Sequence, residues 1–279
     1  MIEVLDSGYH ITVQDLGRFG LSRYGVPSAG SMDYVSASNA NSLVGNSRNE
    51  TIFEITMMGG KFLFRDDISI AICGAIFDIS LNNKSIKNNF RIDIKKGDIL
   101  NFGKALKGFR VYIAISGGFK VESVLNSTSF FENITSEPTV KKGDKFILLR
   151  KKKQKQVNFT NPEFIFNNKI EVFRGPEFNL IHKSDIKLLN EDCFVVSSNN
   201  RMAYFFENGL SVNNFSIITS PVIPGTIQLT PSGKMIALMR DGQVTGGYPR
   251  ILQMNNNSLS VLSQKKQGDK IKFKLVDLA

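Results

Sequence analysis

The segment RVYIAIS, Arg110–Ser116, is the clearest strand in the sequence and indicates the fold class. Val111, Ile113 and Ile115 occupy alternate positions, and the residues between them are also apolar, as in a strand partly buried on both faces. Similar short runs rich in β-branched and aromatic residues recur along the chain, at residues 50–57, 69–73, 77–81, 169–174, 235–240 and 270–275. Gly, Asn and Asp turns separate most of them, and this spacing favours a barrel or sandwich over alternating strands and helices.

A Gly-Asp pair followed by a strand-like run occurs three times. The copies are KKGDIL at 95–100, KKGDKF at 141–146 and KQGDKI at 266–271. Glycine supplies the positive φ that a tight turn needs, so the motif predicts three turns, each leading into a strand. The three aspartates could also form a repeated active-site element, but turn chemistry accounts for them without a function.

Few helices are expected. The best candidate begins with Ser31 as N-cap, carries Asp33 in its first turn and stops at Gly45. Its buried face is predicted to consist of Ala37, Ala40, Leu43 and Val44. A second helix is possible within residues 177–190. The chain is therefore predicted to be mainly β, with a few short helices.

Two β-rich domains are predicted, residues 1–150 and 151–279. The boundary is placed in residues 150–168, which are basic, rich in Gln and Asn, and without periodicity. The run RKKKQK at 150–155 contributes to the net charge of +10 but contains no aromatic residue, so it is interpreted as a solvated linker. A nucleic-acid interface would need a concentrated basic patch with interleaved aromatics or a recognisable module.

Composition excludes several other classes of protein and of site. No apolar run approaches the roughly 20 residues of a membrane-spanning helix, and the N-terminus lacks a secretory layout, which together predict a cytoplasmic protein. Cys73 and Cys193 are interpreted as small buried apolar residues rather than a disulfide. With only His10 and His182, and no CxxC or GxSxG motif, neither a metal site nor a Ser-His-Asp triad is expected. Any chemistry would use carboxylates, arginines, backbone amides or groups from another chain.

Three segments are denser in Gly, Pro, Asp, Arg and Gln than strands and turns require. In the first, residues 12–33, two interpretations stay open: amides at the start of the helix hold an anion, or Arg18 pairs with Asp15 or Asp33 to brace the loop. In the second, residues 225–233, Gln228 either contacts a polar ligand or is solvated. The third, residues 240–251, follows a clear strand and contains several side-chain donors and a Gly-Gly pair that permits close backbone approach.

The motifs TVQDLGRFG, YGVPSAGSMD and ANSLVGN, at 12–20, 24–33 and 40–46, are followed by the long segment from Gly225 to Ile251 and by GDKIKF at 268–273. In this order they resemble the family that contains the C-type subunit of bacterial 5-oxoprolinase, the KipI antagonist protein and allophanate hydrolase subunit 2. The family resembles biotin-dependent carboxyltransferases. The resemblance covers nearly the whole chain. It implies a fold of two cyclophilin-like β barrels.

The resemblance also implies that the protein acts as part of an assembly. The A-type, B-type and C-type subunits of 5-oxoprolinase together use ATP to open 5-oxoproline to glutamate, and the C-type subunit associates closely with the KipI-like B-type subunit. The first expectation is therefore a C-type subunit of this hydrolase, inactive alone, with ATP used at the level of the assembly. Two alternatives are a regulatory protein that antagonises a KipI-like kinase inhibitor, and a carboxyltransferase component acting on urea or a related amide. Neither nucleic acid nor membrane is an expected partner.

The shared chemistry implied by the family is activation of a urea- or lactam-like carbonyl, which needs donors for a developing oxyanion. The residues predicted to be catalytic are Arg18, Asp33, Gln243 and Tyr248. Those predicted to bind substrate are Gln14, Gln228, Arg240, Thr245, Gly246, Gly247 and Arg250. Two segments depart from the family pattern: residues 127–134 contain no glycine, and Ala203 and Phe205 replace a glycine and an arginine.

Overall fold

The computed structural model describes residues 1–132, 134–149 and 163–277. Its contacts divide the chain into two compact units. Unit 1 consists of Met1–Arg18 and Ala29–Glu163, and unit 2 consists of Phe19–Ser28 and Phe164–Ala279. The predicted boundary between residues 150 and 151, and the basic run at 150–155, lie outside the described residues, so both interpretations stay predictions.

Unit 1 is built on a sheet in which nine strands are described, all paired antiparallel. Six of them follow the order β2-β3-β8-β4-β1-β9, and β5 pairs with β6, β7 and β8. The strands are β1 (Ile2–Asp6), β2 (His10–Gln14), β3 (Ile52–Thr56), β4 (Lys61–Phe64), β5 (Ile68–Leu81), β6 (Lys84–Ser85), β7 (Arg91–Ile94), β8 (Ile99–Ile115) and β9 (Lys145–Phe146).

Two of these strands are much longer than their sequence patterns indicated. The runs predicted at 69–73 and 77–81 are one strand, β5, and RVYIAIS is only the end of β8. Gly74 separates the two runs in the sequence, yet the strand passes through it with φ +111° and a shift of register. A Cβ atom at Gly74 would lie 2.7 Å from the carbonyl oxygen of Arg110, so glycine allows a bulge within the strand.

The core of unit 1 is aromatic and β-branched. The ring of Phe53 stacks on that of Phe119 with centroids 4.4 Å apart, and Phe146 meets it edge-on at 4.9 Å. All three rings are buried, and each contributes about 1.5–3 kcal/mol of hydrophobic stabilisation. Helix α1, Tyr34–Leu43, covers part of the sheet with the predicted face of Ala37, Ala40, Leu43 and Val44, which is confirmed.

The start of α1 corrects the sequence prediction. The N-cap is Asp33 rather than Ser31, because the Asp33 carboxylate accepts hydrogen bonds from the amide of Ser36 at 3.0 Å and its hydroxyl at 2.6 Å. Ser31 donates instead, through its amide and hydroxyl, to the carbonyl oxygen of Asp15. The predicted stop is confirmed, since Gly45 follows the C-cap residue with φ +74°.

Unit 2 contains a closed barrel of seven strands in the order β10-β17-β14-β15-β12-β11-β18. A two-stranded ribbon pairs β13 with β16. The strands are β10 (Lys169–Arg174), β11 (Phe194–Asn199), β12 (Ala203–Phe206), β13 (Ser220–Pro221), β14 (Thr226–Leu229), β15 (Met235–Leu238), β16 (Thr245–Gly246), β17 (Arg250–Met254) and β18 (Lys270–Leu275). The predicted runs at 169–174 and 270–275 match β10 and β18 to the residue.

The helices of unit 2 are short. They are α2 (Lys183–Glu191) and α3 (Asn256–Ser263), together with 3-10 turns at Ser22–Tyr24 and Phe178–Leu180 and a third at Glu163–Phe166, of which the last three residues belong to unit 2. The helix considered at 177–190 is thus a 3-10 turn followed by α2, which begins only at Lys183. No described helix is long and apolar enough to cross a membrane.

The three Gly-Asp motifs form the predicted turns. Their glycines have φ of 96°, 93° and 86°, and their aspartates accept a hydrogen bond from the amide three residues earlier at 2.8, 2.7 and 2.9 Å. A strand begins directly after each aspartate. The aspartates concerned are Asp98, Asp144 and Asp269. Their contacts are those of turn residues, and the turn interpretation is confirmed.

The predicted class, a mainly β chain with a few short helices, is confirmed. Unit 2 is a closed barrel and unit 1 is a half-barrel sheet. One interpretation of the cysteines is wrong: Cys193 is exposed, and it lies in the link between α2 and β11 and not within the strand. Cys73 is buried as expected, and burial raises the pKa of its thiol well above the ordinary value.

Candidate functional site

The predicted site residues fall into two groups, one in each unit. Gln14, Arg18 and Asp33 belong to unit 1. The group in unit 2 consists of Gln228, Arg240, Gln243, Thr245, Gly246, Gly247, Tyr248 and Arg250. The hypothesis that both groups gather at one site stays a prediction, and each group is a local structure with its own geometry.

Asp15 is the centre of the group in unit 1. Its Oδ1 atom accepts hydrogen bonds from the amide of Gly17 and from the hydroxyls of Ser127 and Ser129, each at 2.7 Å. Its Oδ2 atom accepts one from the amide of Thr128 at 2.8 Å. The side chain is only 5% exposed. The segment that departs from the family pattern therefore supplies donors that hold a buried carboxylate, which fixes the loop after β2.

Arg18 and Gln14 are buried next to the Asp15 carboxylate and its donors, which we call the Asp15 nest. The guanidinium of Arg18 is 2% exposed and donates to the carbonyl oxygen of Ser129 at 2.6 Å. The amide of Gln14 is fully buried and donates to the hydroxyl of Thr12 at 3.0 Å and to the carbonyl of Phe130 at 3.4 Å. These contacts give both side chains a role in joining the loop at 12–18 to the segment at 127–130.

Asp33 belongs to a second buried network that the sequence analysis missed. Its amide donates to the hydroxyl of Tyr112 at 2.8 Å, and that hydroxyl donates to Oε2 of Glu54 at 2.8 Å. Oε2 of Glu54 also accepts from the amide of Met32, and Oε1 lies 3.9 Å from Nε of Arg110. Burial, reinforced by the charge of Glu54, raises the pKa of Tyr112 well above its ordinary value. The available signal was a glutamate within an apolar strand, ETIFEITM.

Gln228 organises the group in unit 2. It is 1% exposed, so the solvated alternative is wrong for this side chain. Its Nε2 donates to the carbonyl oxygen of Tyr248 at 3.2 Å, and its Oε1 accepts from Nε2 of Gln243 at 3.4 Å. A Cβ atom at Gly246 would lie 2.5 Å from Nε2 of Gln228. A side chain at 246 would have to displace this buried, hydrogen-bonded amide, so glycine lets the backbone lie close to it.

The outer side of the same segment presents neutral donors to solvent. Gln243, Thr245 and Tyr248 are exposed, and the ring of Tyr248 keeps 42% of its accessible surface. Gly247 is exposed beside them. We call residues 243–248 the donor loop. An amide and two hydroxyls can donate to a carbonyl oxygen on which negative charge develops, without bringing a formal charge to the site.

Arg250 lies at the C-terminal end of the donor loop, where it pairs with Glu177. Its guanidinium makes a bidentate contact, Nε to Oε2 at 2.9 Å and Nη2 to Oε1 at 2.7 Å, and Nη1 donates to the carbonyl of Pro221 at 3.0 Å. The hydrogen bonds from Arg250 hold the pKa of Glu177 below its usual range, and the carboxylate raises the pKa of Arg250. Arg250 therefore anchors the loop.

A second bidentate pair anchors the N-terminal end of the loop. Nε of Arg201 donates to Oδ2 of Asp241 at 2.7 Å and Nη2 donates to Oδ1 at 3.0 Å, with both side chains largely buried. Arg240 is 4% exposed and donates to Oδ1 of Asn256 at 3.1 Å. The donor loop is thus clamped between two arginine–carboxylate pairs, which preorganises the exposed donors.

Sequence reasoning did not identify Glu177 or Asp241 as partners, because each forms its pair with a residue distant in sequence. Ala203 and Phe205, the other departure from the family pattern, are strand residues of β12 that pair with Leu238 and Ile236. Within the described part of the chain, no three His, Cys, Asp or Glu side chains are grouped so that they could hold a metal ion.

Residues 24–275 match the carboxyltransferase domain, subdomain A and B. The chain belongs to this family. A relative from Haemophilus influenzae, named as the C-type subunit of 5-oxoprolinase, is 30% identical over an alignment that covers all of this chain and 92% of the relative. A second relative of the same name, from Escherichia coli, is 28% identical over 98% of this chain and 90% of the relative. The predicted resemblance is confirmed.

Two solved structures share the fold. The crystal structure of TTHA0988 superposes with a TM-score of 0.88 over 98% of this chain at 24% identity, and this chain spans only 55% of that protein. The crystal structure of the Kluyveromyces lactis urea amidolyase matches with a TM-score of 0.85 over 98% of this chain at 30% identity, and this chain spans 18% of it. Family members thus occur both as chains of about this length and as parts of longer chains.

Proposed function

We propose that this chain is the C-type subunit of an ATP-dependent 5-oxoprolinase, a hydrolase that opens 5-oxoproline to glutamate only when its partner subunits are present. The observation that carries the proposal is the likeness to the Haemophilus influenzae protein, which extends over the whole chain. The donor loop supports it, since its neutral donors suit a lactam carbonyl. A cytoplasmic location is part of the same proposal.

In the proposed reaction, the donor loop polarises the substrate carbonyl. The amide of Gln243 and the hydroxyls of Thr245 and Tyr248 are the exposed donors, and hydrogen bonds to the carbonyl oxygen favour attack at its carbon. Gln228 and the clamps of Arg201–Asp241 and Glu177–Arg250 keep these donors in place. The proposed chemistry therefore uses hydrogen bonding and positioning, with Arg250 as a positioning residue.

ATP enters the proposal as a substrate of the assembly. The sequence contains no GxxxxGK[ST] loop, and the Gly-Gly pair at 246–247 opens no helix that could cradle phosphates. The described residues therefore offer no phosphate loop for the nucleotide. We assign ATP binding to the assembly and place no step of phosphate transfer on a residue of this chain.

The direct test is reconstitution. Purified A-type and B-type subunits are mixed with 5-oxoproline and ATP, with and without this chain, and glutamate release is measured. We expect release only in the complete mixture, and none when ATP is omitted. If the A-type and B-type subunits release glutamate equally well without this chain, the proposed function is wrong.

A second candidate is a carboxyltransferase component that acts on urea or a related amide. The family description and the 30% identity to urea amidolyase favour it. The test is transfer of labelled carboxyl groups from a carboxylated biotin carrier to urea in the presence of this chain. Transfer to urea, combined with no glutamate release in the complete 5-oxoprolinase mixture, would establish the second candidate over the first.

A further inference from the structure

A long stretch of unit 2 contains no charged residue. Residues 208–233 have no Asp, Glu, Lys or Arg, although these types make up 22% of the chain. Burial explains the absence of charge in only part of the stretch, because β14 is fully buried whereas most of residues 211–223 are exposed or half-buried. An exposed segment without charge differs from an ordinary solvated loop and matches the composition of the centre of a protein interface.

Apolar side chains within this segment are unusually exposed. Ile218 keeps 90% of its accessible surface, Val212 keeps 80% and Ile223 keeps 58%. An isolated exposed apolar residue is ordinary, but a group of them on an uncharged segment indicates an interaction surface. We call residues 211–223 the uncharged segment.

Backbone hydrogen bonds join the uncharged segment to the donor loop. The amide of Ile217 donates to the carbonyl of Gly247 at 3.4 Å, and that of Val222 donates to the carbonyl of Val244 at 3.0 Å. Between these two contacts β13 pairs with β16. The exposed Ile218 therefore lies directly beside the loop that carries Thr245 and Tyr248. A protein that covered Ile218 would border these donors and exclude water from them.

We infer that the uncharged segment is the docking surface for the B-type subunit, and that docking there encloses the donor loop; this inference rests on the proposed function. The occupant is expected to present an apolar, uncharged surface of its own, since charged groups facing this segment would be desolvated without a partner. Pro221 has no amide hydrogen, so docking uses side-chain packing rather than addition of a strand along this edge.

The relatives support a large protein occupant rather than a small ligand. This chain spans 55% of TTHA0988 and 18% of the urea amidolyase. In those proteins the matching region is covalently attached to further chain, which can cover part of its surface. The Haemophilus influenzae relative, 92% of which is covered by the alignment, is named as one subunit of an assembly, and for such a subunit the cover would come from a separate protein.

The test uses Ile218→Asp and the milder Ile218→Ser, with Leu106→Asp as control. Leu106 is 70% exposed but belongs to unit 1, so its replacement adds the same charge outside the uncharged segment. Affinity for the purified B-type subunit is measured by calorimetry on variants whose melting temperature equals that of the wild type. We expect Ile218→Asp to raise Kd roughly 10- to 100-fold, Ile218→Ser to raise it less, and Leu106→Asp to leave it within about twofold.

Three results would overturn the inference, and they differ in their consequences for the proposed function and for the identity of the occupant. If the wild-type complex forms and Ile218→Asp binds equally well, the docking surface is wrong and the proposed function stands. If the wild type does not bind the B-type partner and glutamate release does not need this chain, the proposed function fails as well. If sedimentation shows a wild-type dimer that Ile218→Asp dissociates, the occupant is a second copy of this chain.

Discussion

The Asp15 nest in unit 1 and the donor loop in unit 2 come from equally motif-rich stretches, yet the structure uses their polar groups in opposite ways. In the nest, the polar side chains face one another and are buried. In the loop, Gln228 is buried while Gln243, Thr245 and Tyr248 are exposed. A segment rich in Gly, Asp, Arg and Gln can therefore either brace a loop or present donors to solvent. The burial of its polar side chains distinguishes the two.

Replacing Asp15 is expected to have the largest effect on stability. Asp15→Ala leaves two amides and two hydroxyls buried without their acceptor, and we expect the free energy of unfolding to fall by about 3–5 kcal/mol. Urea denaturation followed by circular dichroism measures it. Asp269→Ala, at an exposed turn, is the control and should lose about 1 kcal/mol or less. If the free energy of unfolding of Asp15→Ala falls by less than about 1 kcal/mol, the Asp15 nest does not brace the fold and its contrast with the donor loop is wrong.

Gly246→Ala is expected to have an intermediate effect on both stability and activity. The added methyl group must displace the amide of Gln228, which is buried and hydrogen-bonded beneath the loop. We expect the free energy of unfolding to fall by about 1–3 kcal/mol and glutamate release by the complete assembly to fall as well. Gly247→Ala, at the next position of the loop, adds a methyl group whose nearest neighbours are 3.9 Å away, and it is the control for stability. Unchanged activity in Gly246→Ala would contradict the positioning role of Gln228.

Glu177→Gln tests one clamp of the donor loop through its pH dependence. Because Arg250 lowers the pKa of Glu177 in the folded state, the pair stabilises the protein fully above the unfolded pKa of about 4.3 and loses its effect as pH falls through the lower folded value. At pH 7 we expect Glu177→Gln to be less stable by about 1–2 kcal/mol. The difference from wild type should shrink below about pH 4.

A more exposed ion pair provides the matched control for this clamp. Glu171 pairs with Lys274 at 2.9 Å, but its side chain is 47% exposed, so Glu171→Gln should change stability by less than about 0.5 kcal/mol at pH 7. Equal losses in Glu177→Gln and Glu171→Gln would mean that the clamp is an ordinary surface pair. A difference that persisted undiminished at about pH 3 would contradict the assigned ionisation.

Much of the fold could be predicted because strand patterns and turn chemistry are local. The runs at 169–174 and 270–275 and the three Gly-Asp turns needed no knowledge of distant contacts. Gly74 could not be interpreted in this way, since the bulge depends on the approach of the Arg110 carbonyl from another strand. The same limit applied to the N-cap of α1: Ser31 and Asp33 are both good caps, and tertiary hydrogen bonds to Asp15 decide between them.

For the candidate site, the sequence located the donors but not their supports. The mixture of Gly, Gln, Thr and Tyr at 243–248 was visible as composition. The clamp of Arg250 by Glu177 spans 73 residues, and that of Arg201 by Asp241 spans 40. No local pattern specifies such pairs. The residues that position the donors could therefore be told apart from the donors themselves only in the folded chain.

The most direct test of the donor loop's proposed role is Tyr248→Phe in the reconstituted assembly. Removal of one exposed hydroxyl should leave the free energy of unfolding within about 0.5 kcal/mol of wild type, while kcat/KM for glutamate release falls roughly 10- to 100-fold. Tyr24→Phe, which removes the hydroxyl of another exposed tyrosine of unit 2, is the control and should keep full activity. Full activity in Tyr248→Phe would contradict the claim that the donor loop carries the chemistry of this protein.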